Sequence, residues 1–257
     1  MCELFGISSA KNIRANELLD AFYNHSYMHQ DGWGLALFHG NEVSVEKEPV
    51  RAVDSRYLAA RLSRPILCTN LLAHIRRATI GRIEYVNCHP FVLEDASGRT
   101  WTQIHNGTMF DSEVLAPYIS LQEGTTDSER VLWYIIDRVN KELEKENMSL
   151  SGEHRIALID RLLGSLSRGN KLNMLLFDGE NLYVHTNCRD SLYVHSEPGT
   201  RVIATSPVCC EDWEALPMNR LLVYKNGALI YTGESHGNEF REEDHDLATL
   251  YSAFAEL

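Results

Sequence analysis

The stretch from Thr126 to Thr186, TDSERVLWYIIDRVNKELEKENMSLSGEHRIALIDRLLGSLSRGNKLNMLLFDGENLYVHT, holds both periodicities on which the fold turns. Leu132, Ile135, Ile136, Val139 and Leu143 recur at helical spacing and make one apolar stripe. Thr126 and Glu129, just ahead of them, match a capping box. Ile156, Ile159, Leu162, Leu163 and Leu166 predict a second amphipathic helix, stopped by Gly169. The period then shortens. Met174 to Phe177 and Leu182 to His185 read as two strands joined through an Asp178-Gly179 turn.

Working outward, the same hairpin grammar recurs on both sides. Leu221 to Tyr224 and Ala228 to Tyr231 flank Asn226-Gly227, a pair suited to a type I′ turn. Toward the N-terminus, Cys2 to Ser8 reads as a strand and Glu17 to Phe22 has helical spacing. Trp33 to His39 and Glu42 to Lys47 read as strands across a His39-Gly40-Asn41 turn. Tyr57 to Leu62 reads as a short helix and Pro65 to Arg76 as a long apolar strand. Thr100 to His105 reads as a strand closed by an Asn106-Gly107 turn. Two-residue turns join only antiparallel strands. The two long helices need a sheet to cover. The expectation is an α+β fold of stacked antiparallel sheets with helices outside, one domain over residues 1–257.

Composition narrows the function. The 257 residues are 44% hydrophobic and 23% charged, which is ordinary for a globular chain. The formal net charge of −12 opposes binding to nucleic acid or to an anionic membrane surface. Acidic residues gather in EFREEDHD, Glu239 to Asp246, which reads as a solvated face. No apolar run is long enough for a membrane span, and the stretch MCELFGISSA, lacking a basic start and a long apolar run, does not read as a signal peptide. No two of the six cysteines have C-x-x-C spacing; they read as reduced thiols in the cytoplasm, with the adjacent Cys209-Cys210 buried or incidental. Nothing calls for a metal or an organic cofactor.

Four clusters carry chemistry. Removal of Met1 would leave Cys2 with a thiol and a free α-amine, a nucleophile with its own general base. Arg76, in AHIRRAT at 73–79, offers a planar fork for a carboxylate. Asn106 and Gly107, in HNG at 105–107, can aim a side-chain amide and a backbone N–H at one point, as an oxyanion hole requires. Asp127, in TDSE at 126–129, stands in the first turn of a helix and can receive an ammonium group. Each cluster alone also fits an ordinary structural role. Together they suit a free α-amino acid carrying a side-chain amide.

In their order and separations these clusters resemble the class II glutamine amidotransferase domain. His29-Gln30-Asp31-Gly32-Trp33-Gly34 resembles the family's D-G-x-G stretch, in the form found in stand-alone members, and Asn87-x-His89-Pro90-Phe91 fits the same members. The motifs span Cys2 to Glu129. The resemblance implies a four-layer α-β-β-α N-terminal-nucleophile hydrolase sandwich. It implies Cys2 as nucleophile, Arg76 and Asp127 as ligands of the substrate's carboxylate and ammonium, Asn106 and Gly107 as oxyanion hole, and Thr79 as pocket lining. The family often has Trp after the motif Arg; here Arg77 stands there. His29 reads as structural, and Trp33 as core with a share in the pocket wall.

The reading that follows is cleavage of glutamine or another γ-glutamyl amide through a Cys2 thioester. Two alternatives stay open: a glutaminase subunit that serves a partner synthase, and a non-catalytic regulatory protein that keeps the fold. Acylases that begin with Cys fit Arg76 and Asp127 less well.

Overall fold

The segment after Cys2 becomes a strand with both faces buried: Phe5 and Ile7 pack on one side, Leu4 on the other. A strand of this kind belongs in the middle of a sheet that is covered on both faces. The computed structural model describes residues 2–40, 42–111, 113–209 and 211–241. Met1, Asn41 of the expected turn, Cys210 and residues 242–246 of the acidic stretch lie outside the described residues.

In chain order the elements are β1 (Glu3–Arg14), α1 (Asn16–Asn24), β2 (Trp33–His39), β3 (Glu42–Glu48), α2 (Arg56–Leu62), β4 (Leu67–Ile75), β5 (Phe91–Glu94), β6 (Thr100–Thr108), α3 (Asp127–Lys145), α4 (Gly152–Leu166), β7 (Lys171–Phe177), β8 (Leu182–Thr186), β9 (Tyr193–Glu197), β10 (Thr200–Ala204), β11 (Trp213–Ala215), β12 (Arg220–Lys225) and β13 (Ala228–Thr232). They form two antiparallel sheets. One has seven strands in the order β11-β9-β10-β1-β4-β2-β3, the other six in the order β13-β12-β8-β7-β6-β5.

Alternation along the strands sorts the core into three layers. Leu4, Ala36, Leu72 and Ile203 of the first sheet meet Ile104, Leu175, Val184 and Leu222 of the second. The outer face of the first sheet, with Phe5, Ile7, Leu35 and Leu71, packs on Leu19, Phe22 and Leu58 of α1 and α2. The outer face of the second, with Trp101, Met174, Leu176 and Val223, packs on Leu132, Ile135, Ile159 and Leu163 of α3 and α4. The order of layers is therefore α-β-β-α, as expected. Among the described residues no helix is long and apolar enough to cross a membrane.

Local signals are fulfilled where they fix backbone geometry. Asn226 and Gly227 both take positive φ, 49° and 72°, as a type I′ turn demands. Thr126 caps α3 by accepting from the Glu129 N–H at 3.3 Å. The capping box is only half formed: the Glu129 carboxylate accepts instead from the N–H groups of Glu123 and Gly124, at 2.7 and 2.9 Å. The Asn106-Gly107 turn is overturned. Both residues lie inside β6, paired with Asn173 and Leu172 of β7. The ladder to β7 overrides the local turn preference, and Gly is required there because a Cβ would stand 1.9 Å from the Lys171 carbonyl oxygen.

The two sheets pack tightly at Gly6, where an added Cβ would lie 2.8 Å from Leu175 Cδ1. Leu175→Ala should cost about 2–5 kcal/mol through the cavity it leaves, and Gly6→Ala about 1–3 kcal/mol through overpacking. In the double variant the new methyl enters the vacated space, so chemical denaturation should give a loss smaller than the sum of the two.

Candidate active site

Cys2 stands one residue before the central strand β1. The β1–β4 register pairs Glu3 with Ile75 and Leu4 with His74, so the start of β1 lies beside the end of β4. Arg76 follows β4 directly and closes against β2: its N–H donates to the Gly32 carbonyl at 2.8 Å, and its carbonyl accepts from Asp31 N–H at 3.0 Å. The half-buried Cys2 thiol reaches the Arg77 carbonyl, with Sγ at 3.4 Å. Burial is the largest influence on this thiol and pushes it above its ordinary value; the Arg77 backbone and the Arg76 charge act against burial, and the Asp127 charge adds to it. Residues from three separate sequence clusters thus share one electrostatic neighbourhood.

The Arg76 guanidinium is buried and donates to the carbonyls of Arg82 (2.9 Å), Ile80 (3.0 Å) and Gly81 (3.2 Å). Of its five N–H groups, at least two are left for a ligand carboxylate. Its first structural effect is to pin the loop after β4. Thr79 lies on that loop and is exposed.

Asp127 opens α3 and is buried. One carboxylate oxygen accepts from Met109 N–H at 2.8 Å, the other from Ser128 N–H at 2.8 Å. An ionised carboxylate has about four acceptor positions, so capacity for an ammonium remains. The buried Asn106 side chain has no hydrogen-bond partner among the described residues. A free amide at this position suits a donor awaiting an oxyanion.

Histidines to which the sequence assigned no role tie these pieces together. His105 Nε2 donates to the Lys171 carbonyl (3.4 Å), so its Nδ1 accepts from the Ser128 hydroxyl (2.9 Å). One ring therefore connects the strand of Asn106 and Gly107 to the helical turn of Asp127. His74 Nε2 donates across the sheets to the His105 carbonyl at 3.3 Å. The His89 ring lies 4.1 Å from that of His74. The HNG motif held the signal for His105; nothing in the sequence marked Ser128 or His74 as its neighbours.

His29 is structural, its Nδ1 donating to the His25 carbonyl at 3.1 Å and its Nε2 3.8 Å from Glu3. Trp33 is wholly buried against Tyr23 and Tyr57 and belongs to the core. Gly34 is needed because the His89 carbonyl oxygen would lie 1.9 Å from a Cβ. Among the described residues no group of His, Cys, Asp or Glu is arranged to hold a metal ion. A groove of about 510 Å³ between α1 and α2 is lined by none of the candidate site residues Cys2, Arg76, Thr79, Asn106, Gly107 and Asp127.

Burial, with the Arg76 charge adding, pushes His74 from 6.5 down to about 3, against the pull of the His105 carbonyl. Burial likewise pushes His185 down to about 3. Between about pH 3 and pH 6.5 the unfolded chain binds more protons at these sites than the folded one. Their neutral packing is thus undisturbed above the ordinary value and becomes a liability as the pH falls below it. The melting temperature should drop as pH is lowered from about 6.5 toward 4, and His74→Gln, which keeps a donor but does not titrate, should make that fall shallower.

Comparison with known proteins places the chain in a family. The family profile for class II glutamine amidotransferases matches residues 1–201. An uncharacterized protein of Methanocaldococcus jannaschii is 30% identical over 91% of this chain and 72% of its own length. YafJ of Escherichia coli is 29% identical over 75% of each chain. The crystal structure of a predicted glutamine amidotransferase from Pseudomonas aeruginosa superposes with a TM-score of 0.65 at 20% identity, over 90% of this chain and all of that one. With the family profile covering most of the chain, the chain belongs to the class II glutamine amidotransferases.

Proposed function

We propose that the chain, acting as one unit over residues 1–257, hydrolyses a γ-glutamyl amide: glutamine, or a γ-glutamyl conjugate. Cys2 is the nucleophile once Met1 is removed, because only then does its nitrogen become an amine able to take the thiol proton. The thiolate attacks the side-chain carbonyl. Asn106 and the Gly107 N–H hold the resulting oxyanion. Collapse expels ammonia or an amine, protonated by the Cys2 ammonium, and leaves a γ-glutamyl thioester. Water then attacks the thioester and releases glutamate and the thiol.

Arg76 binds the substrate's α-carboxylate with the N–H groups its loop leaves over, Asp127 binds the α-ammonium, and Thr79 lines the pocket from the 77–82 loop. The observation that carries this reading is the Cys2 thiol lying against the Arg77 carbonyl at 3.4 Å, one residue from the buried Arg76 guanidinium. Cys2, Cys68 and Cys88 are unpaired thiols, which suits a reducing cytoplasm.

The test pairs mass spectrometry of the intact protein with glutamate release. Protein lacking Met1 should release glutamate from glutamine or from a γ-glutamyl amide, and Cys2→Ala should abolish release. Asn106→Ala should lower kcat by about 10²–10³-fold, as loss of an oxyanion donor does. Arg76→Lys, with a point charge in place of a planar fork, should lower kcat/KM by about tenfold or more. Undiminished release by Cys2→Ala would sink the mechanism.

A further inference from the structure

We infer that Asp31 is a positioning residue for the nucleophile, holding in place the Arg77 peptide against which the Cys2 thiol lies; the inference rests on the reading of Cys2 as nucleophile. Asp31 and Gly32 make three hydrogen bonds to the residues on either side of Arg77. Asp31 N–H donates to the Arg76 carbonyl at 3.0 Å, and the Gly32 carbonyl accepts from Arg76 N–H at 2.8 Å. Asp31 Oδ2 accepts from Ala78 N–H at 2.7 Å. Arg77 itself makes the contact that matters, its carbonyl meeting Cys2 Sγ at 3.4 Å.

The backbone that permits this bracket is available only to glycine. Gly32 has φ +146°, and a Cβ there would lie 2.6 Å from Cys88 Sγ and 3.1 Å from the Glu48 carbonyl oxygen. The Arg77 side chain is exposed. The thiol is met through a carbonyl that any residue provides, which accounts for Arg standing where relatives of the motif often carry Trp.

The loop after β4 therefore has two anchors with separate tasks. Arg76 holds its far side through the carbonyls of residues 80–82. Asp31 holds its near side at Ala78, next to the thiol. Loss of the Asp31 carboxylate frees the near side alone. The effect should fall on the placement of the thiol and not on recognition of the substrate's α-carboxylate.

The experiment uses full-length protein freed of Met1. Glutamate release gives kcat and KM, and iodoacetamide alkylation of Cys2, followed by peptide mass spectrometry across pH, reports the thiol. Asp31→Ala should lower kcat about tenfold with KM within about twofold, since small misplacements of a reacting group cost this much. The midpoint of Cys2 alkylation should move with it. Asp31→Asn keeps an oxygen acceptor for Ala78 and should recover most of kcat. If Asp31→Ala does not fold, Asp31→Glu, which displaces the oxygen by one methylene, should show the same split between kcat and KM. Wild-type kcat and an unmoved alkylation midpoint in these variants would overturn the inference, as would a raised KM at unchanged kcat. Should the wild type release no glutamate, the glutaminase reading fails, and the alkylation midpoint still decides the role of Asp31.

Discussion

The structure depends on burying β1 on both faces while its first residues stay at the rim of the sheet. Its neighbours β4 and β10 satisfy its backbone, and Leu4 and Phe5 anchor it from opposite sides. Hydrophobic burial of this kind is non-directional, but a strand paired on both edges cannot slide by one residue without turning its apolar side chains to the wrong layers. Cys2 therefore inherits its position from the register of a strand it does not belong to. One residue before a locked strand, Cys2 is held to the geometry of the core.

The polar machinery is held by a second kind of force. Around Cys2 the chain runs through irregular loops, and their backbone groups are satisfied by buried or half-buried side chains: Asp31 and Arg76 on the loop after β4, Asn87 on Thr125, Glu129 on residues 123 and 124. Buried polar groups cost free energy unless paired. The side chains that the proposed function assigns to a substrate thus also hold the walls of the candidate site. Arg76 and Asp127 both serve in this way, so in the proposed reaction recognition is tied to the order of the loops.

Much of the architecture was legible from patterning. The stripes of α3 and α4, the β7–β8 and β12–β13 hairpins and the strands β2 and β4 follow from period and turn chemistry. Strands β5, β9, β10 and β11 were not read. They are short, and β9 and β10 carry His195, Ser196, Glu197 and Arg201 among their apolar residues, so pairing defines them more than composition does. Asn106-Gly107 misled in the same way: a local turn signal lost to a ladder with β7. Glu129 kept its place beside the helix cap but gave its carboxylate to residues 123 and 124, because those N–H groups were otherwise unpaired and near.

By itself the sequence determined the two periodicities, the antiparallel hairpins, the layer order implied by them and the identities of Cys2, Arg76, Asn106, Gly107 and Asp127 as candidates. These are properties of residue type and spacing, which are local. Only the tertiary structure decided that the Cys2 thiol lies on the Arg77 carbonyl beside Arg76, that His105 joins β6 to the Asp127 turn, and that Asp31 brackets Arg77. Each of those contacts joins residues far apart in the chain. Their geometry comes from strand register and sheet packing, which no local pattern encodes.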